Sequence, residues 1–311
     1  MNKKHVGIIM ILIATIVWAI DPVVIKLSYS NATFVQTLGI RAIPMVIIAF
    51  FYILITNKAS FKITKKEFSA LFYLALFGSI IGDLIYFYSI GKISVVNYSV
   101  IGHLQPIFVL LIGYFFLKTD KITKYDYIGI LFMFFAAFFV VAKDMDSLKS
   151  FSIGTKEDYF LLIATISWST TAIMARKYLS NTNAGITTFY RFGIGAVILI
   201  TYLICTNAFY VSNFYQILDG ILAGFAIILY YESMKRLKAA QVTSLELTSP
   251  FFAAVFGLIF LGEFVTIMQM AGMALLIFGI YFLSKKEGEG KIQSRKFKTI
   301  CQDHSYSRSF F

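Results

Sequence analysis

Glu246 and Pro250 stand one helical turn apart inside Ala239 to Glu263 (AAQVTSLELTSPFFAAVFGLIFLGE), a stretch long enough to cross a bilayer. Proline cannot donate to the carbonyl four residues back, so Pro250 leaves the Glu246 carbonyl without its helical partner. A bare carbonyl and a carboxylate at one level of a membrane helix are costly unless they face protein or water. A matching stretch runs from Val95 to Thr119 (VVNYSVIGHLQPIFVLLIGYFFLKT), where His103 precedes Pro106. Ser99, His103 and Pro106 share one helical face there, as Thr243, Glu246 and Pro250 do in the later stretch. Glu246 has no basic residue at matching depth, so its natural partner is a substrate ammonium group or a proton. His103 reads either as its lesser partner or as a core histidine bonded to a neighbouring carbonyl.

The other ionisable groups well inside apolar runs are Asp21, Arg41, Asp83, Arg191 and Glu232. Each costs ~2.5–3.5 kcal/mol at the centre of a membrane helix, so each needs a partner, water or a purpose. Counting ~1.5 Å per residue puts Asp21, Arg41 and Asp83 at one depth, roughly 10 Å below the outer surface. Arg191 and Glu232 share a depth near the inner surface, so two buried ion-pair clusters are expected. Trp18 and Trp168 suit cavity packing or a matched core pair, and Tyr86 and Tyr230 suit stacking on a cationic or aromatic substrate. Gly78 and Gly82 form a small-xxx-small pair that brings helices together. Pro22, Pro106 and Pro250 are expected helix breaks.

These residues need elements to hold them, and composition says which. Hydrophobic residues make up 59% of the 311 positions and charged ones only 14%, which excludes an ordinary soluble domain. The net charge of +12 sits between apolar runs rather than along one face with exposed aromatics, so it reads as membrane flanks and not as a nucleic-acid surface. Cys205 and Cys301 fit no disulfide framework, and His5, His103 and His304 are too scattered for a metal site. No cofactor motif is present. The first apolar run follows Lys3 and Lys4 but reaches about Leu27 without a cleavage pattern, and so reads as a retained helix.

Ten spans follow, at about 6–27, 34–56, 67–90, 94–117, 124–142, 157–179, 184–205, 213–236, 238–261 and 266–284. With the N-terminus in the cytoplasm, 21 basic residues lie inside against five outside, so both termini are expected to be cytoplasmic in a multi-pass protein of the cell membrane. The halves repeat. Leu12 to Trp18 (LIATIVW) recurs as Leu162 to Trp168 (LIATISW), Arg41 matches Arg191, Tyr86 matches Tyr230 and Pro106 matches Pro250. Five helices per unit is an odd number, so the second unit enters the membrane from the opposite side. Inverted repeats of this kind place a binding site at their interface near the midplane. The expected architecture is an all-α membrane protein of ten transmembrane helices, with one five-helix repeat over 6–142 and another over 157–284. A disordered, basic cytoplasmic tail is expected over 285–311.

The run ending in tryptophan, the early Arg41 and Arg191, the mid-helix prolines and the closing Leu261-Gly262-Glu263 resemble the drug/metabolite transporter superfamily, EamA type. The resemblance implies a ten-helix transporter or exporter of small metabolites, with a central cavity lined by the first four helices of each repeat. One departure is that the first repeat ends Leu117-Lys118-Thr119, without Gly-Glu. No nucleotide-binding loop is present to drive pumping. The rival classes are an intramembrane aspartyl enzyme, for which Asp21 and Asp83 offer a dyad without the full G-x-G-D motif, and a scaffold that transports nothing. The surplus of carboxylates over arginines leans toward an amino acid or amine-bearing substrate, with proton coupling as the companion role.

Overall fold

A computed structural model describes residues 3–56, 60–117, 124–142, 144, 154–179, 181–237, 245–246 and 248–282. Ten helical segments carry the chain, and no strand occurs among the described residues. They are α1 (Lys3–Ser28), α2 (Phe34–Thr56), α3 (Lys65–Ile90), α4 (Val95–Gly102, then Gln105–Ile112), α5 (Lys124–Ala142), α6 (Lys156–Tyr178), α7 (Ala184–Cys205), α8 (Phe214–Arg236), α9 (Ser249–Leu261) and α10 (Ile267–Phe282). Among the described residues eight helices are long and apolar enough to cross a membrane, and α9 and α10 are shorter apolar helices. Thr243 and the tail expected over 285–311 lie outside the described residues.

Short polar caps start the helices. Thr64 and Glu67 form a reciprocal capping box on α3, and Thr155 and Asp158 do the same on α6. Ser94 caps α4 and Asn183 caps α7. At the far end of α9, Gly262 takes the left-handed conformation (φ 65°) and lets the Glu263 amide turn back to the Gly257 carbonyl.

The packing repeats under exchange of the halves. α1 packs on α8 as α6 packs on α3, and α1 on α9 as α6 on the second piece of α4. α2 and α7 pack on each other, with α8 against α2 and α3 against α7. α5 and α10 meet where Gly272 lies against the Ala136 carbonyl and Gly279 against that of Gly129. Large apolar side chains such as Leu131, Phe134, Ile198, Phe225 and Ile259 point outward from these helices, the surface a bilayer solvates. The inverted ten-helix arrangement is therefore the fold.

Two expectations about local structure change. Pro22 does not break α1, which runs continuously through it, as α2 runs through Pro44. One missing bond in a long, well-packed helix does not end it. Gly78 and Gly82 lie in a π-helical stretch of α3, Leu74–Gly82, and the parts of other helices nearest to them are side chains. Gly78 makes room for the Arg191 guanidinium and Gly82 for the Trp168 indole. Added methyl groups would lie 2.9 Å and 2.7 Å from those nitrogens, too close for either side chain to stay.

Candidate functional site

Both proline helices are interrupted where their prolines stand. α4 turns at His103 and Leu104 and restarts at Gln105, with Pro106 in the first turn of its second piece. α9 starts with Pro250 in its first turn, after a turn at Thr248. The carbonyl of Glu246, which Pro250 cannot serve, receives His103 instead: Nε2 lies 3.2 Å from it. The same ring places Nδ1 2.5 Å from the Ser99 carbonyl. A neutral imidazole donates through one nitrogen only, so two carbonyl acceptors leave it one hydrogen short unless a second proton is bound. The contacts of His103 are thus two backbone carbonyls, and one of them belongs to Glu246.

The Glu246 carboxylate is different. Its Oε1 is buried and has no hydrogen-bond partner among the described residues. Tyr230 of α8 lies close enough to feel its charge. The Tyr230 ring sits 5.1 Å from that of Trp18, and both pack with Leu245 around Ile11 and Ala14. The Ser99 hydroxyl is also buried without a partner among the described residues. The structure therefore brings together Trp18, Tyr230 and Glu246 at the junction of α1, α8 and the start of α9, with His103 reaching in from α4.

The pseudo-symmetric pair is Trp168 and Tyr86, 5.5 Å apart and edge to face, on α6 and α3. Tyr86 also stacks on Tyr98 at 4.6 Å. Here the polar chemistry is satisfied, because Trp168 Nε1 donates to Asp83 Oδ1 at 2.9 Å. A small cavity between α2, α3 and α7 is lined by Arg41, Ser79 and Asp83 with Met45, Phe192 and Leu199. It lies on the α2–α7 contact and does not reach Glu246.

The ion pairs differ from the expected sets. Arg41 lies 3.3 Å from Asp219 and 3.8 Å from Asp21, with its guanidinium over the Phe87 ring at 4.8 Å. Asp219 is wholly buried and was not among the residues singled out from sequence. It reaches Arg41 because the next residue, Gly220, lies against the Arg41 carbonyl and the Pro44 ring, where no side chain fits. Asp83, expected beside Arg41, is held by Trp168 instead. Glu232 is paired by Lys235 at 2.8 Å and by Arg236, both on its own helix, rather than by Arg191. Arg191 donates to Ser79 Oγ at 3.1 Å.

The end of the bundle carrying Lys26, Val95 and Glu263 is laced together. Glu263, from the Leu-Gly-Glu motif, pairs with Lys26 of α1 and accepts from the Val95 amide at 2.7 Å, the first turn of α4. Asn97 links Asp158 of α6 (3.1 Å) and Gln269 of α10 (2.9 Å). Lys92, in the α3–α4 connection, is bonded to Tyr88 (2.8 Å) and Glu157 (3.3 Å), and its ammonium pKa is pushed up, mainly by the Tyr88 bond.

No group of three or more metal-ligating side chains occurs among the described residues. The comparisons with known proteins agree with the architecture. The EamA-like transporter family matches residues 5–142 and 155–285. An uncharacterized transporter of Synechocystis sp. is 25% identical over 70% of this chain, and the match spans 66% of that relative, just under two thirds of its length. The riboflavin transporter ImpX of Fusobacterium nucleatum is 21% identical over 92% of this chain and 99% of its own. A solved crystal structure superposes with a TM-score of 0.64 over 91% of this chain and 99% of the other, at 12% identity, a likeness of fold. With both halves matched, the chain is a multi-pass integral membrane protein and belongs to the EamA-like transporter family.

Proposed function

We propose that the chain is a secondary or facilitative transporter of a small organic metabolite, an amino acid or another amine-bearing compound. The observation that carries this reading is the buried Glu246 Oε1, without a hydrogen-bond partner among the described residues, beside Trp18 and Tyr230 where the two repeats meet. A bare buried carboxylate is costly, and a substrate ammonium or a proton answers it. The aromatic pair supplies faces for a cation. Alternating access would rock one repeat (6–142) against the other (157–284), both termini being cytoplasmic by charge bias.

A second reading has support of its own. The Trp18–Tyr230 and Trp168–Tyr86 pairs suit a planar aromatic substrate, and one relative that matches along nearly its whole length is named a riboflavin transporter.

One experiment separates these readings. The purified protein is screened for thermal stabilisation by amino acids, amines and riboflavin, and the compounds that bind are tested in proteoliposomes with the unsubstituted protein and Glu246→Gln. A ligand at 100 times its Kd raises stability by ~2.7 kcal/mol, well within detection. Uptake of an amine-bearing compound that Glu246→Gln abolishes is the expected result. Riboflavin uptake untouched by Glu246→Gln favours the second reading. Stabilisation by none of the three classes removes both.

A further inference from the structure

Asp21 and Asp219 come from different repeats, on α1 and α8, and their carboxyl groups flank one guanidinium: Arg41 Nη2 lies 3.8 Å from Asp21 Oδ1 and Nη1 3.3 Å from Asp219 Oδ2. Two ionised carboxylates brought to one guanidinium can only accept, so the cluster calls for a further hydrogen. The donors nearby do not supply it. Arg41 Nη1 is close enough to Asp219 for ion pairing, yet among the described residues neither that nitrogen nor either Asp219 oxygen has an aligned hydrogen-bond partner. Asp21 Oδ1 is likewise without one, and the Tyr86 hydroxyl reaches Asp21 Oδ2 at 3.5 Å. Asp219 is 0% exposed, Asp21 5% and Arg41 8%, so the cluster is shut off from bulk solvent.

The charge count points the same way. The groups facing this site are Asp21 and Tyr29 of the α1 end, Arg41 of α2, Asp83 and Tyr86 of α3, Tyr98 of α4 and Asp219 of α8. Arg191 of α7 acts on Asp83, which also has the Trp168 bond. Asp21, Asp83 and Asp219 are three carboxyls against two guanidiniums, Arg41 and Arg191. One negative charge is left over in a buried setting, where like charges gathered at one arginine favour a proton on one of them.

We propose that Asp21 and Asp219, beside Arg41, form a site that binds one proton as a shared carboxyl–carboxylate pair and joins the two repeats through it. The proton bonds to one carboxyl oxygen and is donated to the other; no bond breaks elsewhere. With the proton present the pair ties α1 to α8. Without it two carboxylates repel across the same contact, so rocking of the repeats and proton release are linked. That linkage, the coupling step of transport, rests on the transporter reading above; the proton site does not.

The test is infrared spectroscopy of the full chain in lipid nanodiscs, carried out in a Glu246→Gln background so that this other buried carboxyl adds no signal. At neutral pH a protonated carboxyl C=O band that shifts in D2O is expected, fading as pH is raised. Asp219→Asn and Asp21→Asn, on separate helices, should each remove it, since an amide keeps the hydrogen bond without the proton. Absence of the band at neutral pH, or its survival in both variants, overturns the site. Its loss when choline chloride is replaced by NaCl at fixed pH assigns the site to sodium and overturns the proton. If no compound is transported but the band behaves as expected, the proton site stands and the transporter reading fails.

Discussion

Trp18 and Trp168 occupy matching places in the two repeats, and each packs on a matching tyrosine, yet their polar surroundings are opposite. Trp168 donates to Asp83, and Asp83 also feels Arg191. Trp18 and Tyr230 lie beside Glu246, whose Oε1 nothing in the described structure answers. The two repeats carry the same aromatic frame, and the polar groups beside it close one copy and leave the other open. A satisfied polar site holds helices together, whereas an unsatisfied one persists because something outside the resting fold satisfies it.

Arginine gives the same contrast more strongly. Arg41 answers two carboxylates, but its pseudo-equivalent Arg191 is held by a serine. The largest effect should therefore come from Arg41→Ala, which strands Asp21 and Asp219 in a dry interior and should cost ~3–5 kcal/mol of unfolding free energy. Asp219→Asn in the same chain should recover much of that, because it removes the surplus charge. Arg191→Ala should cost clearly less. Equal losses for the two arginines, or strict additivity of Arg41→Ala with Asp219→Asn, would break the contrast.

Why Asp219 stayed hidden in the sequence is instructive. Arg41 and Arg191, Trp18 and Trp168, Tyr86 and Tyr230, and Pro106 and Pro250 all show because the duplication kept like residues at like places. Asp219 has no counterpart; the position 144 residues earlier is Ala75. It also stands near the start of α8, where a carboxylate is easily assigned to the membrane surface. Gly220 beside it was the available signal, a residue without a side chain where α8 meets the α2 backbone. The His103–Glu246 contact was half legible: the orphaned carbonyl follows from Pro250, but its donor lies in the other repeat. The Glu232 pairs with Lys235 and Arg236 obey the i+3 and i+4 spacing and could have been read directly. The π-helical stretch of α3 leaves no mark in composition. That stretch seats Arg191 and Trp168, so the partners of both were out of reach.

The two tryptophans allow a sharper test. Trp168→Phe keeps the ring packing and deletes the donor to Asp83, leaving a buried carboxylate short of one charge-assisted bond. A loss of ~1.5–3 kcal/mol is expected. Trp18→Phe deletes a nitrogen for which no hydrogen bond is seen among the described residues, so only the ring area should matter. Thermal unfolding of both variants in one detergent reads the difference. A Trp18→Phe loss as large as that of Trp168→Phe would mean that Trp18 also holds a polar partner, and the two copies would no longer differ in kind.

Glu246→Gln should have the smallest effect on stability and is the most informative about the open copy. A carboxylate with a bare, buried oxygen contributes nothing by its charge to the resting fold, and a neutral amide is cheaper to bury than an ion. The Glu246 carbonyl that His103 holds is backbone and is untouched by the substitution. Stability should stay the same or rise by up to ~1 kcal/mol, with the unfolding midpoint unchanged or higher. Asp83→Ala, which removes the acceptor of Trp168, should fall by ~1–3 kcal/mol in the same assay. A fall of that size for Glu246→Gln would show that the carboxylate already has a partner in the resting protein. The site beside Trp18 would then be as closed as the one beside Trp168, and its claim on a substrate would be gone.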